Sequence, residues 1–203
     1  MSKIIKLSKS LVSDVDLSPL CKYLEWNEQH KKYIMCPCGQ EAYQLYGYLT
    51  QFIDGDIADV GTYYGTSALA LSLNENNNVS TVDIVKCIPD NVNVLTPLDR
   101  PNIKMHVVHG QAIISKIAQC QLVLLDIDPH DGDAEINFFD LLIQHGFKGI
   151  LVADDINLNN GMKKFWNYIP SNYKKYDLTS IGHWSGTGLV VFDPSYIDVV
   201  YES

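Results

Sequence analysis

The sequence predicts an α/β protein built on a doubly wound, mostly parallel sheet that closes with an antiparallel hairpin. Three observations carry this. Five short apolar runs, at 56–61, 79–84, 103–108, 122–126 and 149–154, lack polar alternation. Such runs suit parallel strands covered on both faces. Helical stretches separate them, and strand–helix–strand at this spacing means βαβ units. Two further strands, at 176–181 and 188–192, are joined only by the short segment His183-Trp-Ser-Gly-Thr187. A parallel crossover needs about a dozen residues or more, so these two pair as a hairpin.

The elements follow in order. The first fifty residues read as helical, with Leu45, Tyr48, Leu49 and Phe52 at helical spacing before Asp54-Gly55 breaks the run. Between the fourth and fifth strands Ile136, Phe139, Leu142 and Ile143 mark one side of a helix that His145-Gly146 stops. Residues 159–168 read as another helix. A chain of 203 residues fits one domain, with no internal repeat and no linker; the polar patch at 74–78 is too short to divide it. The composition, 46% hydrophobic and 19% charged, is that of a globular protein. A formal net charge of -9 opposes a long phosphate backbone and argues against nucleic acid as partner. No apolar window has the length of a membrane span, and the N-terminus carries no apolar core or cleavage site, so a cytoplasmic protein is expected. Five cysteines at irregular spacing, with Cys36-Pro-Cys38 the only close pair, read as reduced thiols rather than a zinc site.

Chemistry gathers at the strand ends. The first strand runs into Asp59-Val-Gly61-Thr-Tyr63-Tyr-Gly65-Thr66-Ser67. Gly61 permits a tight turn, and Gly65-Thr66 opens a helix whose free N–H groups face a crevice. The spacing is Gly-x-x-x-Gly, not the Gly-x-Gly-x-x-Gly of dinucleotide sites. Asp83 ends the second strand, where a carboxylate can accept bonds from both hydroxyls of a ribose. Gly110-Gln111-Ala112 follows the third strand. Asp126 with Asp128, and Asp154 with Asp155, end two adjacent strands. Crowded carboxylates repel, so a cation is the natural remedy, and oxygen donors suit Mg2+, Mn2+ or Ca2+ rather than zinc.

On the loop 59–65, Asp83, Gly110-Gln-Ala112, Leu-Leu-Asp126-Ile-Asp128, Val-Ala-Asp154-Asp155 and the terminal hairpin, the chain resembles the class I S-adenosylmethionine-dependent methyltransferases over residues 39–193. The resemblance implies a Rossmann-like seven-stranded sheet in the order 3-2-1-4-5-7-6. It also implies a core over 55–203 with residues 1–54 as a helical cap over the acceptor side. It places S-adenosyl-L-methionine against Asp59, Gly61, Tyr63, Gly65, Thr66, Ser67 and Asp126, the ribose on Asp83, and the adenine between Gln111 and Ala112. Within that group the acidic pattern is similar to the metal-dependent O-methyltransferases of the catechol, caffeoyl and sugar types. The metal, Mg2+ foremost, then falls to Asp126, Asp154 and Asp155. The sugar enzymes place a His just after the first Asp; His130 stands one residue further along, and the Lys of the catechol enzymes is absent. His130 is the expected general base and His183 the second candidate, while His106 and His109 read as structural. Gly39-Gln40-Glu41-Tyr43 would cover the acceptor, with Tyr63, Tyr64, Trp166 and Trp184 as candidate walls. The implied partner is a small hydroxylated acceptor (a sugar, a phenol or a natural product), and a homodimer is left open.

Three rival readings compete with this one. A nicotinamide-dependent oxidoreductase conflicts with the glycine spacing and the hairpin. A metal-dependent glycosyltransferase would use Asp126-Ile-Asp128 but leaves the loop after Asp59 unexplained. A non-catalytic cofactor binder of the same fold would have little use for four acidic side chains.

Overall fold

The computed structural model describes residues 3–35, 42–90 and 92–202. Along the chain these form β1 (Lys3–Ser8), α1 (Lys9–Ser13), a 3-10 helix (Ser18–Leu24), α2 (Glu28–Met35), α3 (Tyr43–Thr50), β2 (Asp56–Val60), α4 (Thr66–Leu71) and β3 (Asn78–Asp83). There follow β4 (Ile103–Val107), α5 (Ile114–Ile117), β5 (Leu122–Leu125), α6 (Asp133–Gln144), β6 (Ile150–Asp154), α7 (Asn160–Tyr168), β7 (Lys174–Asp177), β8 (Thr187–Val191) and β9 (Ile197–Glu202). The main sheet has seven strands in the order β4-β3-β2-β5-β6-β8-β7. With the seven expected strands numbered along the chain, this is the order 3-2-1-4-5-7-6. β2 pairs in parallel with both β3 and β5, while β8 lies antiparallel to β6 and β7.

Successive strand residues point to opposite faces, and the two faces make two cores. Leu122, Leu124, Ile150 and Val152 pack with Leu45, Leu49, Leu69 and Leu71 from α3 and α4. Val123, Leu125 and Leu151 pack with Phe138, Phe139, Leu142 and Phe165 from α6 and α7. Both faces being covered explains why these strands read as unbroken apolar runs. On α6 the buried face is Phe138, Phe139 and Leu142, whereas Ile143 is exposed.

Two expectations need correction. The N-terminus is not all helical: β1 pairs in parallel with β9, Lys3 opposite Ile197 through Ser8 opposite Glu202, in a separate two-stranded sheet. Ile5 and Leu7 are buried and Ile4 is exposed, so the alternation of a strand was present, but its partner stands at the other end of the chain. β9 itself was not foreseen. Finally, β7 stops at Asp177 rather than running to 181. Its carboxylate accepts the Thr179 N–H at 3.0 Å and the Thr179 hydroxyl, a local turn that competes with the ladder.

Among the described residues no helix is long and apolar enough to cross a membrane. Cys36 and Cys38 lie outside the described residues, as do Gly39, Gln40 and Glu41; Cys21, Cys87 and Cys120 are free thiols.

Candidate active site

From β2 the chain runs outward through β3 to β4, then returns to place β5 on the other side of β2. At such a reversal the loops leaving two neighbouring strands splay apart and leave a crevice beyond their carboxyl ends. That crevice has a volume of about 800 Å3. Gly61, at φ 102°, lets the loop pass the end of β5: a Cβ there would lie 1.5 Å from the Asp126 carbonyl oxygen. Tyr63 follows at φ 45° and donates its N–H to Asp83 Oδ2 at 2.9 Å, while the Val85 N–H donates to Oδ1 at 3.1 Å. Asp83 thus ties the loop to the end of β3 and lines the crevice. Ile84, Val85 and Val108, all exposed, give the crevice an apolar wall beside Gly110 and Gln111.

Most expected cofactor contacts line this space: Gly61, Tyr63, Thr66, Ser67, Asp83, Gln111 and Asp126. Asp59, Gly65 and Ala112 do not. Ala112 is exposed and turns away within the 3-10 turn after β4. Gly65, at φ 78°, is spent on capping α4, where a Cβ would press on Ile88 and Pro97 at 2.9 Å. Asp59 is wholly buried behind the loop. It accepts the Thr81 hydroxyl at 2.6 Å, and Thr81 is bonded in turn to the Thr62 hydroxyl. Its Oδ1 has no hydrogen-bond partner, and burial pushes its carboxyl up to about 7.

At the other end of the crevice the two acidic pairs converge, and both expected histidines join them. His130 Nε2 lies 3.1 Å from Asp126 Oδ1 and 3.3 Å from Asp155 Oδ2, and its Nδ1 lies 3.3 Å from Asp128 Oδ1. His183 Nδ1 lies 3.2 Å from Asp155 Oδ1, 3.5 Å from Asp154 Oδ1 and 2.7 Å from Ser185 Oγ. The bond to Asp126 pushes the His130 imidazole up to about 9. Burial raises the Asp126 carboxyl against the pull of that same bond. Burial also works to raise Asp155, but its bonds to His183 and Ser185 outweigh this and hold it below the ordinary carboxylate range. The groups Asp126, His130, Asp155 and Asp154, Asp155, His183 each bring their ligating atoms within 4.8 Å of one another.

No protein-family model and no curated protein matches the sequence. Solved structures do. The chain is similar to the O-methyltransferase TomG of Streptomyces achromogenes, involved in tomaymycin synthesis and solved in complex with SAM. That match has a TM-score of 0.58 and 15% identity, over 89% of this chain and 90% of that one. It is similar also to an O-methyltransferase of Bacillus cereus solved with SAH, at a TM-score of 0.59 and 16% identity over 90% and 96% of the two chains. The fold is that of the class I methyltransferases. At these identities the likeness is one of architecture, and in this class I fold the crevice between β2 and β5 lies at the point where the strand order reverses.

One crevice residue of the methyltransferase fold had no signal in the sequence. His30, on α2, lines the crevice and bonds Thr66 Oγ1 through Nδ1 at 2.7 Å, at the start of α4. Its ring centroid is 4.9 Å from Tyr64 and 5.2 Å from Tyr33, and burial lowers its pKa. The packing of α2 on the 3-10 helix and α3 brings it there. Tyr43, Tyr46, Tyr63 and Tyr64 line the same stretch. Trp166 instead packs on Gly188 under the Lys175 ammonium, outside the crevice, and Trp184 is 65% exposed with its ring centroid 5.6 Å from His183. His109 lines the crevice; His106 does not.

Proposed function

We propose that the chain is an S-adenosylmethionine-dependent methyltransferase that methylates an oxygen of a small hydroxylated acceptor with the help of a divalent cation. The observation that carries this is the continuity of one crevice, from the Asp83 carboxylate and its apolar wall to the histidine–carboxylate cluster.

The residues fit the cofactor. A volume of about 800 Å3 suits a small-molecule site that also admits an acceptor. Asp83 would accept the ribose hydroxyls. Ile84, Val85 and Val108 offer the apolar faces that a planar base needs, with the Gln111 amide at its edge. Gly61, Thr66 and Ser67 would take the amino-acid end, close to the free N–H groups at the start of α4. The residues also fit a cation: Asp126, Asp154 and Asp155 would hold it, and crowded carboxylates at one crevice end call for positive charge. A bound divalent cation lowers the pKa of a coordinated hydroxyl.

The side chains supply the rest. They fix the acceptor oxygen in line with the methyl group, and orientation of this kind provides much of the rate. The acceptor's proton leaves into a cluster of imidazoles and carboxylates that lie within hydrogen-bond reach of one another. His130 stands between Asp126 and Asp155, and the bond to Asp126 raises its pKa. Residues of α2 and α3, His30, Tyr43 and Tyr46, would cover the acceptor, which assigns the N-terminal segment the role of a cap.

Calorimetric titration with S-adenosylhomocysteine, followed by NADH, tests the reading. Binding of the first without the second is the expected result; no binding of S-adenosylhomocysteine would overturn it.

A further inference from the structure

The cluster is two donor sets that share one residue. Asp155 turns Oδ2 toward His130 Nε2 at 3.3 Å and Oδ1 toward His183 Nδ1 at 3.2 Å. Beside the first oxygen stands Asp126, 3.1 Å from the same imidazole nitrogen. Beside the second stands Asp154, 3.5 Å from the other imidazole. A cation with bonds of about 2.0–2.3 Å holds neighbouring donors about 3–3.5 Å apart. Each imidazole nitrogen already stands 3.1–3.5 Å from its two carboxylate oxygens, and the donors of each set lie within 4.8 Å of one another.

Two further features belong to metal-binding histidines and carboxylates. A ligating imidazole donates its other N–H to a carboxylate or similar acceptor. His130 has Asp128 Oδ1 in that place, 3.3 Å from Nδ1. Asp155 is braced by the Ser185 hydroxyl and by left-handed backbone at φ 61°, and His130 stands at φ 58°. Such backbone costs about 1–3 kcal/mol per residue and persists where the surroundings hold a side chain in one direction.

We propose that Asp155 bridges two divalent cations, one completed by Asp126 and His130 and the other by Asp154 and His183. The inference rests on the reading of this cluster as a metal centre and extends it in number and kind of ion. A carboxylate that offers one oxygen to each ion is the bridge such a pair needs, and two-metal sites that activate one oxygen hold their ions about 3.5–4 Å apart. Imidazole donors beside carboxylates favour Mn2+, Fe2+, Co2+, Ni2+ or Zn2+ over Mg2+ or Ca2+. Both histidines then act as ligands, and the acceptor's proton departs because coordination has lowered its pKa.

The test is Mn2+ titration of chelator-stripped protein, with bound metal counted by mass spectrometry and the spin state read by electron paramagnetic resonance. Two equivalents per chain and an exchange-coupled Mn2+ pair are expected. His183→Gln and His130→Gln should each fall to one equivalent and lose the coupling. Asp155→Asn should lose the coupling, with circular dichroism confirming that each variant keeps its fold. Fewer than two equivalents in the wild type, or coupling that survives Asp155→Asn, would overturn the pair. S-adenosylhomocysteine affinity is measured on the same samples. Cofactor binding with fewer than two equivalents sinks the metal pair alone; two coupled equivalents without cofactor binding support the pair and sink the methyltransferase reading.

Discussion

Replacing Asp59 by Asn should make the protein more stable at neutral pH, by an amount that depends on pH. Asp59 is 0% exposed and its carboxyl is pushed from 3.8 up to about 7, chiefly by burial and against hydrogen bonds from Thr81 and Ser67. A shift of about 3 units at about 1.4 kcal/mol per unit is roughly 4 kcal/mol. Below pH 4 or so the native and unfolded states both hold the proton, and the group contributes nothing. Between about pH 4 and 7 the unfolded chain releases the proton while the native chain keeps it, so raising the pH favours unfolding by about 1.4 kcal/mol per unit. Above the folded value the native state carries the whole penalty of a buried carboxylate. Asn does not ionise. The stability of Asp59→Asn relative to wild type should therefore rise by about 4 kcal/mol from pH 4 to pH 8. Urea unfolding at intervals across that range measures it, and the difference between the two proteins cancels the titrating groups that do not interact with Asp59. A difference that is flat with pH would refute the assignment of a buried, proton-holding Asp59.

Two further outcomes are expected. Asp83→Asn should weaken S-adenosylhomocysteine binding about tenfold to a hundredfold, since hydrogen bonds to a charged acceptor contribute about 1.5–3 kcal/mol; unchanged affinity by calorimetry would remove Asp83 from the site. Arg100→Met should cost about 3 kcal/mol, read as a fall in the urea midpoint. The guanidinium is buried and bonds the Ser72 carbonyl at 2.6 Å, the Ser72 hydroxyl at 3.2 Å and Glu75 at 3.0 Å, so its loss removes three hydrogen bonds at the end of α4, each contributing about 1 kcal/mol. A loss under about 1 kcal/mol would contradict that role.

How far the fold could be read from the sequence depended on the range of the signal. The runs at 122–126 and 149–154 are parallel strands buried on both faces, so composition alone marks them, and the short connection after 181 forces a hairpin. The pairing of β1 with β9 lies beyond any local cue, because neither strand has its partner nearby in sequence. The site divides in the same way. Asp83, Asp126, Asp154 and Asp155 are strand ends, and knowing the strand order places them together. His30 reaches Thr66 only through the packing of α2 on the 3-10 helix and α3, which no spacing encodes. Asp59 stands two residues before Gly61, but the alternation of β2 turns its side chain behind the loop rather than into the crevice.

The distribution of backbone strain indicates how rigid this crevice is. Among the described residues, the non-glycine positions with positive φ are Tyr63, His130 and Asp155, and all three line it. Each is held from outside. Asp83 accepts the Tyr63 N–H; Asp154 accepts the Asp155 N–H at 3.0 Å; the His130 carbonyl takes the Asn159 amide at 2.9 Å. Asn159 also caps α7 through the Met162 N–H at 3.0 Å, so the segment bearing His130 is pinned to the start of a helix. The contact is close: a Cβ on Gly132 would lie 2.0 Å from the Gly161 carbonyl oxygen, and one on Gly161 would lie 2.2 Å from that of Asp131. No side chain fits between these two backbones. The loop that carries His130 therefore cannot relax without separating the starts of α6 and α7. An imidazole fixed in this way keeps its direction whether it faces two carboxylates or a cation, which is the condition for a preorganised site.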